Sequence, residues 1–424
     1  LAFIIWASGL SKRGASPDYF EEGRITPPFF CLALSVQRFG FQESALMDEQ
    51  AKVRYAVVGL GYIAQQAVLP AFKHAKNAEL AALISSDDEK LKELSEKYGV
   101  RHTSNYENFE QCLRDADVDA VYIALPNDMH SEYTVRSART GVHVLCEKPM
   151  ALTLEECQEM RDACHLAGVK LMIAYRLHFD PANLEAIDIV RDSDFGAMRF
   201  FQSAFSMQVR DDENIRLQME RGGGPLFDLG IYAVNASRYL FRSEPMEVMA
   251  FMESGEDVRF KEVEEMVTAI LRFPENKLAS FTASFGAVDR SSYEVFGARG
   301  HLRVEPAYDY EQGIHLTLTV AGQSKTMRYR KEDQFAPLLI HFADCILEGR
   351  EPAPNAIEGM ADVQIMQAIR ESAMTGRKVV LRRLERSVDR PASAHRMKIP
   401  PVKAPDLVNA VEPSQPRDEA KKTA

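Results

Sequence analysis

Six residues, Val53-Arg54-Tyr55-Ala56-Val57-Val58, read as a buried β-strand that stops at Gly59-Leu60-Gly61-Tyr62-Ile63-Ala64. This G-x-G-x-x-A turn opens a helical pattern over residues 62–74. Its glycines permit a tight turn and close backbone approach. The helix N-terminus behind them offers free N–H groups and partial positive charge to a pyrophosphate. Alone, the motif is only a strand-to-helix turn; at the head of a βαβ series it points to a dinucleotide site. The series follows, with strands expected at 80–84, 121–125, 142–146 and 170–174 and helices at 88–98 and 130–140. Thr153 with Glu156 three residues on has the form of a capping box and starts a further helix. Strands alternating with helices of this length predict a parallel sheet, so residues 52–174 are read as a Rossmann domain.

After Tyr175 the pattern shifts to longer strands at 198–207, 246–252, 266–273 and 278–285, with Pro274-Glu275-Asn276 as the hairpin turn between the last two. Further strands are expected at 292–296, 301–304 and 315–320, and helices at 225–241, 335–347 and 356–375. Residues 175–381 are therefore read as an α+β domain on an open, largely antiparallel sheet, and the fold class is α/β.

The flanks differ. Residues 1–51 show no sustained periodicity and are read as a leader outside the fold, disordered or preceding a true start at Met47; an arm docking on a partner subunit is the rival reading. No basic segment precedes their first apolar patch, as a secretory signal requires. Residues 382–424 are polar and hold six prolines, a composition read as a disordered tail.

The net charge of −11 argues against nucleic-acid and anionic-membrane partners, which need clustered positive charge. No apolar run approaches the roughly 18–20 residues that span a bilayer. Six scattered cysteines without a C-x-x-C pair suit a reducing cytoplasm. The ten histidines offer no metal-ligand spacing, so no metal is expected.

Leu125-Pro126-Asn127-Asp128-Met129-His130 and Cys146-Glu147-Lys148-Pro149, taken with the glycine turn, resemble the Gfo/Idh/MocA oxidoreductase family over residues 52–381. The segments 174–181 and 222–232, the latter Gly222-Gly223-Gly224-Pro225-Leu226-Phe227-Asp228-Leu229-Gly230-Ile231-Tyr232, resemble its glucose–fructose oxidoreductase branch. Many members carry His where this chain has Tyr232. The resemblance implies an NADP-dependent enzyme acting on an aldose or related polyol, and a homo-oligomer formed through the second domain's sheet. Two other classes remain open: an NAD-dependent redox-assisted glycosidase of the same fold, and a non-catalytic dinucleotide sensor.

Oxidising a sugar hydroxyl requires a base within hydrogen-bond reach as hydride leaves the same carbon. Tyr232 is the expected base. A free phenol titrates near ~10, so it needs a nearby cation, which Lys148 supplies. Asp228 lies four residues before Tyr232 on the same helix face and by resemblance binds a neighbouring hydroxyl. Without the resemblance, each of the three has a bland reading, as packing tyrosine, solvated lysine or capping aspartate. The expected nucleotide-binding set comprises Gly59, Leu60, Gly61, Tyr62, Ile63, Ser85, Lys90, Tyr98, Leu125, Pro126, Asn127, His130, Glu147, Lys148 and Arg176. Serine at the end of the second strand with Lys90 nearby favours NADP, whereas Asp87-Asp88, if turned toward the ribose, would favour NAD. Arg176 and His178 either reach the cofactor or sugar or tie the domains together.

Overall fold

The computed structural model describes residues 51–382, 384, 395–403 and 405–415. The leader expectation for residues 1–50, Met47 included, lies outside the described residues.

The first domain holds β1 (Val53–Val58), β2 (Ala78–Ile84), β3 (His102–Ser104), β4 (Ala120–Ile123), β5 (His143–Cys146) and β6 (Leu171–Ile173), all parallel in the order β3-β2-β1-β4-β5-β6. The reversal of strand order between β1 and β4 opens a crevice at the strands' carboxyl ends. The crossover after β1 begins with a π-wound turn, Ala64–Val68, and continues as α1 (Leu69–Ala71). The other crossovers are α2 (Asp88–Tyr98), α3 (Phe109–Asp115), α4 (His130–Arg139) and α5 (Leu154–Ala167). The Thr153–Glu156 capping box forms as its spacing predicts, each side chain bonding the other's backbone N–H.

After α6 (Pro181–Arg191) the chain builds a nine-stranded sheet from β7 (Met198–Ser206), β8 (Glu247–Glu253), β9 (Met266–Phe273), β10 (Lys277–Ser284), β11 (Arg290–Gly297), β12 (Gly300–Glu305), β13 (His315–Val320), β14 (Gln323–Arg328) and β15 (Val379–Val380). Only β7 and β10 pair in parallel; every other neighbour is antiparallel. Along β9 burial alternates strictly, with Val267, Ala269, Leu271 and Phe273 inside, the pattern of a sheet covered on one face. The covering helices are α6, α7 (Ile231–Phe241) and α9 (Ala356–Thr375). The open face presents Phe200, Phe251, Ile270 and Leu278, each at least 41% exposed. No helix among the described residues is long and apolar enough to cross a membrane.

Two findings depart from the sequence reading. Helix α8 (Ala336–Leu347) belongs by position to the second domain, yet its Leu338, Leu339, Phe342 and Ala343 pack into the core beneath β1 and β2. Tyr55 on β1 donates its hydroxyl to the Leu339 carbonyl. Residues 395–403 and 405–415 are docked rather than disordered: His395 stacks on Phe179, Arg396 pairs with Glu185 and Asp188, and Asp333 N–H donates to the Ile399 carbonyl. Composition misses such docking because the polar segment uses its backbone and a few side chains on a surface already folded.

Candidate active site

A cleft of about 1010 Å³ lies between the domains at the carboxyl ends of β1, β2, β4, β5 and β6. Each strand delivers residues where it ends: Gly59–Ile63 after β1, Ser85 after β2, Leu125–Asn127 after β4, Glu147 and Lys148 after β5, and Arg176 after β6. The second domain closes it with Asp228 and Tyr232 from the π-wound turn Leu226–Gly230 and the start of α7, and with Tyr308 and Tyr310 from the loop after β12.

The glycine turn fits a dinucleotide. At Gly59 the backbone has φ +91°, and a Cβ there would lie 2.6 Å from the Ala124 carbonyl oxygen, so β1 and β4 approach closely only with glycine. Gly61 lines the cleft, and a Cβ on it would meet no protein atom. The open space above Gly61 is where a pyrophosphate needs bare backbone beside a helix N-terminus. Ser85 is buried at the end of β2, and Lys90 faces the same part of the cleft. Asp87 is engaged locally: its carboxylate accepts from the Lys90 backbone N–H at 3.0 Å and caps α2. Asp88 is exposed and outside the cleft wall.

Lys148, Asp228 and Tyr232 meet at the inner end. Lys148 Nζ donates to Asp228 Oδ1 at 3.0 Å and to the Asp228 carbonyl at 2.9 Å, and sits 4.7 Å from the centre of the Tyr232 ring. Arg216 Nε donates to the other carboxylate oxygen at 2.6 Å. Burial alone would raise the Asp228 carboxyl, but Arg216 and Lys148 outweigh it and hold it well below the usual carboxylate range. Burial likewise opposes the Lys148 charge, yet Tyr232, Asp228 and Glu147 keep the ammonium above its ordinary value. Both groups are therefore ionised at neutral pH. Lys148 retains one N–H and Asp228 retains lone pairs for a further partner.

The cation at the Tyr232 hydroxyl is Arg176 rather than Lys148. Arg176 Nη2 donates to Tyr232 Oη at 3.1 Å, and the same guanidinium reaches Gln334 Oε1 and the Tyr308 carbonyl. Guanidinium has only donors, so Oη accepts here and its own hydrogen is left for a partner in the cleft. Gln334 is fixed in turn by donating to Asp180 at 3.0 Å.

Two residues of the expected set stand apart from the cleft wall. Tyr98 packs at the end of α2 against the first-domain core. His130 is fully buried and lies between the carbonyls of Leu125 (3.0 Å) and Pro149 (2.8 Å), tying the post-β4 loop to the segment that carries Lys148. His178 likewise turns into the core, bonding Asn235 at 2.7 Å. Sequence reasoning missed Arg216, Tyr308, Tyr310 and Gln334, which sit in or beside loops without periodicity. The three-glycine run was the available signal for Arg216: a Cβ at Gly223 would lie 2.4 Å from the Arg216 carbonyl, so the run seats that loop against the cleft.

Family models match both halves of the chain: an oxidoreductase family with an NAD-binding Rossmann fold over residues 53–175, and the Gfo/Idh/MocA C-terminal domain over residues 183–303. A D-xylose 1-dehydrogenase [NADP(+)] of Haloarcula marismortui is 32% identical across 80% of this chain and 95% of that protein. The chain belongs to the Gfo/Idh/MocA oxidoreductase family. Among solved members, an aldose–aldose oxidoreductase from Caulobacter crescentus superposes with a TM-score of 0.75 at 39% identity, covering 78% of this chain and all of its own. A 3-ketoreductase from Actinomadura kijaniata, solved with NADP, gives 0.70 at 25% identity over 76% of this chain and 98% of its own. Each of these matches leaves a fifth or more of the present chain uncovered.

Proposed function

We propose that this family member is an NADP-dependent oxidoreductase that moves hydride between nicotinamide and an aldose or related polyol, with C1 oxidation to the lactone as the principal half-reaction. The observation that carries the reading is the meeting of Lys148, Asp228 and Tyr232 at the inner end of a cleft whose outer part is floored by the glycine turn. The xylose dehydrogenase and the aldose–aldose oxidoreductase support sugar as the substrate class. Ser85 and Lys90 at the end of β2, with Asp87 occupied in capping, support NADP over NAD. The nucleotide set is then Gly59, Leu60, Gly61, Tyr62, Ile63, Ser85, Lys90, Leu125, Pro126, Asn127 and Glu147.

When bound, the nicotinamide ring supplies the hydride acceptor or donor. The chain's own groups position the sugar and move its proton. Asp228, clamped by Lys148 and Arg216, accepts from a hydroxyl beside the reacting carbon. The free N–H of Lys148 orients the reacting oxygen, and Tyr232 Oη, once its own hydrogen has passed to solvent, takes the sugar's proton as a phenolate while Arg176 holds the phenolic oxygen in place. In reduction Tyr232 returns that proton.

Adding single aldoses to the purified chain with NADP is expected to raise the reduced-nicotinamide absorbance, with NADP far better than NAD. Absence of any change across a panel of aldoses would overturn the sugar assignment.

The proposal includes a homo-oligomer joined through the open sheet face, supported by the neighbouring exposed side chains Phe200 and Leu278 on paired strands with Ile270 and Phe251 beyond them. Sedimentation is expected to show a discrete oligomer that Ile270→Glu dissociates; an unmodified chain that sediments as a monomer removes this part. A cytoplasmic location is likewise proposed, in keeping with the five buried free cysteines among the described residues.

A further inference from the structure

The segment 405–415 crosses the mouth of the cleft and is fixed to both of its lips. On the first domain, Val408 and Gln65 exchange two hydrogen bonds of 2.8 Å: the Val408 N–H donates to Gln65 Oε1, and Gln65 Nε2 donates to the Val408 carbonyl. Gln65 is 1% exposed, stands on the helix that the glycine turn opens, and also donates to the Leu60 carbonyl at 2.9 Å. The segment thus holds the back of the turn whose front faces the pyrophosphate position.

One residue further, Asn409 Nδ2 donates to Glu89 Oε2 at 2.7 Å and to Asp87 Oδ2 at 3.3 Å. Both carboxylates stand just past the end of β2, beside Ser85 and Lys90, and Asn409 takes the Asp87 oxygen that capping of α2 leaves over. Asn409 has φ +46°, a left-handed conformation that asparagine tolerates. The segment then turns to the second domain, where the Arg210 N–H donates to the Pro413 carbonyl at 3.3 Å. Glu412, Pro413 and Ser414 form part of the cleft wall itself.

We propose that residues 405–415 are a strap that completes the nucleotide site and retains NADP(H) from one turnover to the next. The inference rests on reading the cleft as an NADP(H) site. Its physical basis is the path: the strap spans the ribose and pyrophosphate positions and bridges the two domains. A dinucleotide held against Gly59–Ile63 and Ser85 leaves only after the Val408–Gln65 and Asn409 bonds have broken. Their breaking precedes release, so the strap acts on the dissociation rate.

The test follows release of bound NADPH, by its fluorescence, on mixing with excess NADP. Val408→Pro removes the N–H given to Gln65, and Asn409→Gly removes the carboxamide while keeping a residue at ease at positive φ. Each is expected to speed release by roughly ten-fold, the factor that losing one or two hydrogen bonds implies, and the pair by more. Melting of the nucleotide-free proteins checks that the variants fold. In the unmodified chain, NADPH is expected to slow amide hydrogen exchange across residues 405–415. Folded variants that release NADPH at the unmodified rate overturn the strap, as does exchange in 405–415 that ignores NADPH, and both leave the oxidoreductase reading standing. An unmodified chain that binds no NADPH overturns the strap together with that reading.

Discussion

Tyr232→Phe is expected to lower kcat by about 10²–10⁴-fold, the range for losing a positioned proton-transfer group, while NADPH binding stays within a factor of two or so. The substitution is clean because the ring's packing survives. Phe205 meets it edge-on at 5.5 Å between centres, Tyr308 lies at 5.6 Å, and Lys148 and Arg176 both sit over its face. Only Oη goes, and Arg176 keeps Gln334 and the Tyr308 carbonyl as partners. Steady-state rates at saturating NADP, a fluorescence titration with NADPH and a melting curve together read the result. Turnover near the original rate in a folded variant removes Tyr232 from proton transfer.

Lys148→Met comes second in size, with kcat/KM expected to fall by about 10²–10³-fold, as when one preorganised donor is removed from a reacting oxygen. Methionine keeps the length and apolar stem but deletes the ammonium, leaving Asp228 with Arg216 alone. The pH profile separates this role from simple packing. In the unmodified chain Asp228 is held below the usual carboxylate range, so loss of activity through its protonation falls below that range. Without Lys148 one of the two cations that outweigh its burial is gone, and protonation of Asp228 moves upward. An acid limb should therefore shift to higher pH in Lys148→Met, and an unshifted limb would count against the ion pair's part in activity.

Much of this site is legible in the sequence because its residues sit where periodic elements end. The glycine turn, the Glu147-Lys148 pair and Arg176 each follow a strand of a parallel sheet, and such strands open toward one crevice whatever their loops do. Asp228 and Tyr232 are neighbours because four residues of helix make them so. Which charge meets which was not legible. Lys148 was the expected partner of the phenolic oxygen, yet Arg176 holds it and Lys148 turns to Asp228, a choice made by three-dimensional distances of a few ångströms. Arg216 reaches Asp228 from an irregular loop, and the docking of residues 405–415 depends on Gln65, whose position 343 residues before Val408 leaves no local trace. Composition averages over a segment, so it could not foresee a polar stretch held by a handful of well-placed bonds.

The packing of α8 beneath β1 and β2 bears on how the chain is assembled. Tyr55 and Leu339 are 284 residues apart, so one face of the nucleotide-binding sheet is only partly covered until the chain has been made past Leu347. On the ribosome that delay leaves Tyr55, Val57 and Leu83 without their partner helix while β7 to β14, eight of the nine strands of the second sheet, emerge. Contacts this distant along the chain slow folding and prolong exposure of apolar surface. A fragment ending at residue 174 therefore leaves Tyr55, Val57 and Leu83 without the α8 side chains that pack on them in the full chain.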